Sequence, residues 1–275
     1  MKELPRDILD CIGNTSLLAL RNIVPANGAR ILLKLENENP TGSMKDRMAL
    51  AMIEAAEKDG RLEPGGTVIE YTGGSTGVSL SLVCAVKGYP LHIVTSDAFS
   101  NEKLDHMRIL GAKLQIVRSE SGGMTEKLTR DMVEAARIIT DQTGGFWTDQ
   151  LNNHDQLAAY HKLAEEIWLQ TGGEIDGFVQ SVGTAASLRG TAEGLRRHNE
   201  RVRIVAVDPL NPRFYRAASQ ALTRLTESER VSWCRSGRKA SPIRLNRFPR
   251  KRLWAWHSGW PAKRAFLRGL PRGAT

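Results

Sequence analysis

Apolar positions in the first 212 residues follow two alternating periods, one helical and one typical of strands. Residues 45–58 place Met48, Met52 and Ile53 on one face of a helix. Residues 67–71 form a short, β-branched run between glycines, which predicts a buried strand. The same reasoning predicts further helices at 78–86, 102–110, 125–140, 156–169 and 185–197, and further strands at 91–94, 114–117, 177–180 and 202–207.

This alternation of strands and helices through short loops predicts an α/β fold built on parallel sheet. Such sheets bind ligands beyond the carboxyl ends of their strands. Two glycine-rich loops, residues 72–77 and 183–187, each follow a predicted strand. These two loops are therefore the first candidates for a binding site.

Charge and composition change near residue 213. Residues 213–275 contain 16 Lys and Arg against 2 Asp and Glu, together with four of the six tryptophans. Residues 1–212 contain 23 basic and 28 acidic side chains, so the net charge of +9 arises from the tail. We find no apolar stretch of membrane-spanning length, no secretory signal and no C-x-x-C pair among the three cysteines. These features favour a cytoplasmic protein without a disulfide framework or a metal site.

The first segment with possible chemistry is 39–47, which reads NPTGSMKDR. Pro40 and Gly42 indicate a turn, Ser43 can cap the helix that follows, and Lys45 lies in the first helical turn. A cation at a helix N-terminus is electrostatically disfavoured, which lowers the pKa of a lysine and favours the neutral amine that forms a Schiff base. Taken alone, the segment is explained more simply by a solvated lysine in a helical turn.

Both glycine-rich loops have features of anion-binding sites. Residues 72–77 read TGGSTG, and their glycines allow backbone N–H groups to approach an anion at the start of the next helix. Residues 181–187 read SVGTAAS, in which the hydroxyls of Thr184 and Ser187 could contact a phosphate monoester. A plain strand-to-helix turn explains the first loop equally well and the second loop more simply.

Five short segments carry a resemblance to a known family. They are 12–17 (IGNTSL), 40–47 (PTGSMKDR), 72–77 (TGGSTG), 149–152 (DQLN) and 183–187 (GTAAS). In order and spacing they are similar to the motifs I-G-N-T-P-L, P-x-G-S-x-K-D-R, T-S-G-N-T-G, D-Q-F-x-N and G-T-G-G-T. The chain thus resembles the cysteine synthase and cystathionine beta-synthase family of fold-type II pyridoxal-phosphate-dependent enzymes, from about residue 8 to about residue 210.

The resemblance implies a two-lobed parallel-sheet fold of the tryptophan-synthase-beta-like type that holds pyridoxal 5'-phosphate between its lobes. Lys45 would carry the cofactor as a Schiff base and act as the base at the substrate α-carbon. The implied reaction is β-replacement on an O-activated serine, with sulfide as the nucleophile. The other implied site residues are Ser75, Gly183, Thr184, Ala185, Ala186 and Ser187 for the cofactor, and Thr72, Gly73, Gly74, Thr76 and Gln150 for the substrate carboxylate.

Four of the departures from the family motifs matter for the implied site. Ser75 stands where the family has an asparagine that contacts the cofactor ring hydroxyl, and Gly73 where a serine helps to bind the carboxylate. Ala185 and Ala186 replace two glycines of the phosphate loop, and their methyl groups crowd a close phosphate or demand a different loop path. These departures bear on the substrate more than on the cofactor. Relatives that form cystathionine or deaminate serine or threonine share the lysine motif and remain alternatives.

The tail does not follow the family and looks frameshifted. Residues 262–275, read one base out of register with suitable synonymous codons, spell EEGIFAGTSTGGN, close to the family's C-terminal motif G-[TI]-S-[ST]-G. A frameshift near Arg213 would make residues 213–275 a non-native or disordered tail, and the chain an incomplete enzyme or an inactive remnant. The alternative is a basic arm that binds nucleic acid through its arginines and tryptophans. Because the out-of-frame reading is similar to the family, we rank this alternative below the frameshift.

The expected organisation follows from the resemblance. Residues 42–146 would form a smaller lobe, and residues 1–41 with 147–212 a larger, incomplete lobe that binds the cofactor. The partners implied are an amino-acid substrate and sulfide. The family is typically dimeric, so a homodimer is expected of a complete chain and is in doubt for one without its C-terminal part.

Overall fold

The chain divides by its internal contacts into two units in the computed structural model. The first unit comprises residues 1–14 and 37–163, and the second comprises residues 15–36 and 164–275. The lobe boundaries expected from the sequence stay a prediction, and most of the expected non-native tail at 213–275 lies outside the described residues. The structure describes residues 7–22, 24, 28–120, 122–209, 231–236 and 253–255.

Strands and helices alternate along the described chain, as the sequence predicts. The strands are β1 (Leu17–Ala19), β2 (Ile31–Lys34), β3 (Val68–Tyr71), β4 (Leu91–Ser96), β5 (Lys113–Val117), β6 (Phe146–Trp147), β7 (Gly177–Ser181), β8 (Arg203–Pro209), β9 (Val231–Ser236) and β10 (Leu253–Ala255). The helices are α1 (Lys45–Asp59), α2 (Ser75–Lys87), α3 (Asn101–Ile109), α4 (Glu126–Thr143), α5 (Gln156–Thr171) and α6 (Ala186–His198). None of the described helices is long and apolar enough to cross a membrane.

The described sheet of the first unit is entirely parallel and has the strand order β5-β4-β3-β6. The side chains of β3 are all buried, as expected of a central strand covered on both faces. Because parallel strands end at one edge, the loops that follow β3, β4 and β6 begin at the same edge of this sheet. That edge therefore collects residues 72–74, 97–100 and 148–150.

Helix α4 covers one face of this sheet. Its buried side chains, Leu128, Met132, Ala136 and Ile139, recur at helical spacing and pack with Ile69, Tyr71 and Val94 of the sheet. The Thr125 hydroxyl caps the helix by accepting a hydrogen bond from the Leu128 N–H at 3.0 Å, and Gly144 ends it at φ 61°. This packing fixes β3 and β4 from behind, so the loops at the carboxyl edge start from a rigid base.

The described sheet of the second unit has the strand order β1-β2-β10-β7-β8-β9. Strand β1 runs antiparallel to β2, and the other neighbours are parallel. The turn between β7 and α6 lies at the carboxyl end of β7, where the sequence predicts a phosphate loop.

The structure differs from the sequence-based elements at a few positions. Helix α2 begins at Ser75, three residues before the predicted start, and includes Gly77. A Cβ atom on Gly77 would overlap the Met107 sulfur and lie 2.7 Å from the Thr72 methyl, so helix packing rather than a turn requires this glycine. The N-cap of α1 is Met44 and not Ser43. Strands β1, β2, β6 and β10 were not predicted, because two to four residues show no period, and β9 was not predicted within the basic tail.

Candidate functional site

Lys45 is the first residue of α1 and follows a tight turn. Gly42 has φ 75°, a left-handed conformation that suits glycine, and its N–H donates to the Asn39 carbonyl at 2.7 Å. The buried carboxylate of Asp46 accepts hydrogen bonds from the Thr41 N–H at 2.8 Å and from the hydroxyls of Thr41 and Ser79. Because Ser79 belongs to α2, Asp46 ties the lysine turn to the helix that follows the TGGSTG loop.

The Lys45 amine has a lowered pKa. Loss of water around the amine lowers its pKa to about 8. The cause is desolvation by burial. Among the described residues, neither a hydrogen bond nor an ion pair reaches this amine, and the Lys45 backbone N–H donates to the Ser43 hydroxyl at 3.2 Å. At pH 7 about one tenth of such amines are neutral, roughly 300 times the fraction for an unperturbed lysine.

The loop at residues 72–77 presents unused donors at the start of α2. The Thr72 N–H continues the sheet by donating to the Val94 carbonyl at 2.9 Å, and the Gly74 N–H donates to the Thr72 hydroxyl at 3.3 Å. Gly74 is the N-cap of α2, and no side chain caps this helix end. The Gly77 and Val78 N–H groups donate to the Gly74 carbonyl, which leaves the Ser75 and Thr76 N–H groups suited to an anion such as a carboxylate.

Gln150 lies against this loop. Its side-chain oxygen accepts a hydrogen bond from the Thr76 hydroxyl at 2.7 Å, and its side-chain nitrogen donates to the Tyr71 carbonyl at 3.2 Å. The Gln156 side chain holds the Gln150 carbonyl at 2.8 Å. The structure thus brings the TGGSTG loop and Gln150 together, while the substrate-binding role assigned to them stays a prediction.

The two departures in this loop have partners on the segment that follows β4. A Cβ atom on Gly73 would overlap the ring of Phe99, so this chain has no room for the serine of the family motif. Ser75 accepts a hydrogen bond from the ammonium of Lys103 at 3.1 Å, and that nitrogen lies 3.2 Å from the position of a Cβ atom on Gly74. The sequence pointed to Gly73 and Ser75 but not to their partners.

Gly73→Ser is expected to destabilise the protein because its side chain collides with Phe99. The strain of such overpacking is about 1–3 kcal/mol. Removing the ring should relieve it, so Gly73→Ser with Phe99→Ala should unfold at a higher temperature than additive single effects allow. Thermal unfolding of the four proteins in this double-mutant cycle measures the coupling, and additive effects would contradict the steric explanation.

The turn between β7 and α6 holds the remaining predicted residues. Ala185 is the N-cap of α6, and no side chain caps this helix end. The Thr184 hydroxyl is buried and has no hydrogen-bond partner in the part of the chain that the structure describes. The Ser187 hydroxyl accepts a hydrogen bond from the Gln180 side chain at 2.5 Å, Ala186 is buried, and Gly183 is exposed. Helix N–H groups and an unused hydroxyl therefore meet in this turn.

Ala185 adopts a backbone conformation that favours glycine. Its φ of 66° is left-handed, which is uncommon for a residue with a Cβ atom. Ala185→Gly should therefore raise the free energy of unfolding by a few tenths of a kcal/mol to about 1 kcal/mol. The measurement is chemical unfolding of the full chain, with Ala186→Gly at the first position of α6 as the matched control that should destabilise instead.

Comparison with known proteins identifies the family. A model of the pyridoxal-phosphate dependent enzymes matches residues 8–252. The chain belongs to this family. It is 41% identical over 199 residues to cysteine synthase B of Escherichia coli, covering 72% of this chain and 64% of that one. It is 37% identical over 233 residues to cysteine synthase B of Pseudomonas aeruginosa, covering 82% of this chain and 75% of that one.

Solved structures of the family share the fold. O-Acetyl serine sulfhydrylase isoform 3 from Entamoeba histolytica superposes with a TM-score of 0.69 at 36% identity, covering 76% of this chain and 62% of that one. The expected α/β, tryptophan-synthase-beta-like fold class and the resemblance to cysteine synthases are thereby confirmed. The chain spans 64% of the length of the Escherichia coli relative.

The residues of this pyridoxal-phosphate-dependent family member suit the family's cofactor. An aldehyde needs a neutral amine, and the Lys45 amine has a lowered pKa and no competing partner among the described residues. A phosphate needs N–H and O–H donors, and the uncapped start of α6 offers them together with the unpartnered Thr184 hydroxyl. This chain therefore has an amine suited to the cofactor aldehyde and hydrogen-bond donors suited to the cofactor phosphate.

Proposed function

We propose that this chain is a cysteine synthase-like enzyme that replaces the β-substituent of an O-activated serine with sulfide. The observation that carries the proposal is the Lys45 amine, whose pKa is lowered to about 8 and which the resemblance of residues 40–47 to the family motif assigns as the cofactor lysine. Relatives that are 37–41% identical are cysteine synthases, which supports the substrate class. O-Acetylserine is the activated serine in the name of the Entamoeba histolytica relative, an O-acetyl serine sulfhydrylase.

Each part of the site has one task in this proposal. Pyridoxal 5'-phosphate, when bound, supplies an electron sink for the charge that develops at the α-carbon. Lys45 holds the cofactor through its amine and removes the α-proton. The loop at residues 72–76, through the N–H groups at the start of α2, binds the substrate carboxylate together with the Gln150 side chain. The turn at residues 183–187 binds the cofactor phosphate through N–H groups and the Thr184 hydroxyl.

The test is turnover by the purified full chain supplied with pyridoxal 5'-phosphate. With O-acetylserine and sulfide, cysteine should accumulate in proportion to the amount of enzyme. With serine or threonine alone, release of an oxo acid and ammonia would instead support the lyase alternative. Cofactor binding without either reaction would reject β-replacement and leave an inactive family member.

We further propose that the tail reflects a frameshift near Arg213, in the gene or in its sequencing. The support is the out-of-register reading of residues 254–275, GMAFGLAREEGIFAGTSTGGN, which is similar to the family's C-terminal motif. Sequencing the DNA around codons 210–215 tests this directly. A correct frame there, with no family-like continuation in either other frame, would return residues 213–275 to the nucleic-acid-binding alternative. That alternative predicts salt-dependent binding to DNA or RNA.

A further inference from the structure

Glu70 is a buried carboxyl group that the proposed reaction does not use. It lies in β3, between β4 and β6, and has no exposed surface. Burying a carboxyl group is costly unless hydrogen bonds compensate for the lost water. The groups that bond to Glu70 therefore indicate the role of this residue in the fold.

Three donors converge on the Glu70 carboxyl group. One oxygen accepts a hydrogen bond from the Tyr71 N–H at 2.9 Å. The other accepts hydrogen bonds from the Thr148 hydroxyl at 2.6 Å and from the Gln150 N–H at 3.0 Å. The last residue pair between β3 and β6 is Ile69 with Trp147, so the Tyr71 and Gln150 N–H groups lie beyond the pairing of these two strands. The side chain of Glu70 thus joins the two segments where the backbone ladder has ended.

The bonds from Thr148 and Gln150 flank a residue in an uncommon conformation. Asp149 has φ 42°, in the left-handed region that residues other than glycine rarely adopt. Such a conformation persists only where its surroundings hold it in place. Glu70 holds the residue on either side of Asp149, and this sharp turn directs the Gln150 side chain to Tyr71 and Thr76.

We propose that Glu70 is a positioning residue for the substrate carboxylate, which acts through the turn at residues 148–150 that carries Gln150. The inference rests on the proposed function, which assigns the carboxylate to the 72–76 loop and Gln150. Loss of the Gln150 N–H bond would loosen Gln150 and leave Lys45 unchanged. The affinity for the amino acid should therefore fall, while the rate of the chemical step at saturation is kept.

The protonation of Glu70 is compatible with an anion nearby. Burial raises the pKa of Glu70 to about 8, Asp149 contributes to the rise, and the hydrogen bonds from Thr148, Gln150 and Tyr71 oppose it. At neutral pH the group is thus mostly protonated and does not repel a bound carboxylate. A protonated Glu70 can donate to the Thr148 hydroxyl, since that hydroxyl has a second acceptor in the Ile69 carbonyl at 3.3 Å.

The test is Glu70→Gln in the full chain with bound cofactor. Glutamine keeps the shape of the side chain, and its NH2 group should face Thr148, whose hydroxyl can accept a hydrogen bond because the Ile69 carbonyl is a second acceptor for its own proton. The Gln150 N–H then loses its acceptor. Hydrogen exchange of the backbone amides at residues 148–152 should accelerate roughly tenfold, which corresponds to one lost hydrogen bond. KM for O-acetylserine should rise roughly tenfold, with kcat within about twofold of wild type. Glu70→Asp, which is one methylene shorter, should shift KM and the hydrogen-exchange rate in the same direction. It replaces Glu70→Gln in this experiment if the glutamine variant does not fold.

Glu57→Gln is the matched control. Glu57 accepts hydrogen bonds from the Lys87 ammonium at 2.8 Å and the Tyr89 hydroxyl at 2.9 Å, and has no bond to the 148–150 turn. It should leave KM and exchange at residues 148–152 unchanged. An active Glu70→Gln enzyme with wild-type KM, or with kcat reduced and KM kept, would overturn the positioning role alone. A wild-type protein that neither turns over nor binds L-alanine would reject the proposed function, and this inference with it.

Discussion

Lys45→Ala is expected to abolish covalent attachment of pyridoxal 5'-phosphate and to reduce turnover roughly a thousandfold or more. The reason is that the same amine would hold the cofactor and remove the α-proton, and loss of a positioned base alone costs about 100- to 10,000-fold. Borohydride reduction of the cofactor-bound protein, followed by mass spectrometry of its peptides, should place the label on Lys45 in the wild type and on no peptide in the variant.

Lys58→Ala is the control for this experiment, because Lys58 is an exposed lysine in the last turn of the same helix. It should retain both the label and the activity. The pH dependence gives a second check, since the neutral Lys45 amine is the reactive form. The attachment rate at limiting cofactor should rise with pH and level off above about 8, the pKa of Lys45. A label on another lysine in the Lys45→Ala protein would remove the central claim.

Wild-type stability is expected to fall by about 2 kcal/mol between pH 6.5 and 8 through the ionisation of Glu70. The pKa of this group is about 8 in the folded protein, against 4.5 as its ordinary value. A raised carboxyl pKa means that the folded state holds the proton more tightly. This contribution to stability is therefore complete below pH 4.5 and is lost as the pH rises to about 8.

Two other groups limit the window in which this effect can be measured. His92 has a lowered pKa, so its contribution rises with pH up to about 6.5 and opposes that of Glu70 there. Lys45 has a lowered pKa of about 8, so its contribution rises with pH above 8. Chemical unfolding of wild type and Glu70→Gln from pH 6.5 to 8 isolates the effect. Curves that stay parallel over this range would contradict an ionisable Glu70.

The elements and the loops of the site could be predicted from the sequence because their signals are local. The helical spacing in residues 45–58 and the glycines of 72–77 identify the elements that carry Lys45 and the proposed carboxylate loop. The lowered pKa of Lys45 was also expected, from its position at a helix N-terminus. Desolvation by burial, its cause in the folded protein, depends on atoms from distant parts of the chain.

Glu70 and Phe99 could not be predicted in the same way. In the run Val68–Tyr71, a glutamate is typical of a strand with one solvated face, whereas here both faces are covered. The partners of Glu70 are 78 and 80 residues away in the sequence, and nothing local distinguishes its carboxyl group from an exposed one. Phe99 matters because Gly73 has no side chain, and this complementarity appears only when the edge of the sheet is assembled.

The two glycines at 73 and 77 limit which segments of this protein can be exchanged with those of a relative. Each faces a residue from the 99–107 stretch, the ring of Phe99 at one end and the sulfur of Met107 at the other. A graft that introduces the family motif T-S-G-N-T-G at positions 72–77 alone would place a serine where the ring of Phe99 lies. The smallest exchangeable cassette is therefore a pair of segments, 72–77 together with 99–107, transplanted from the same donor.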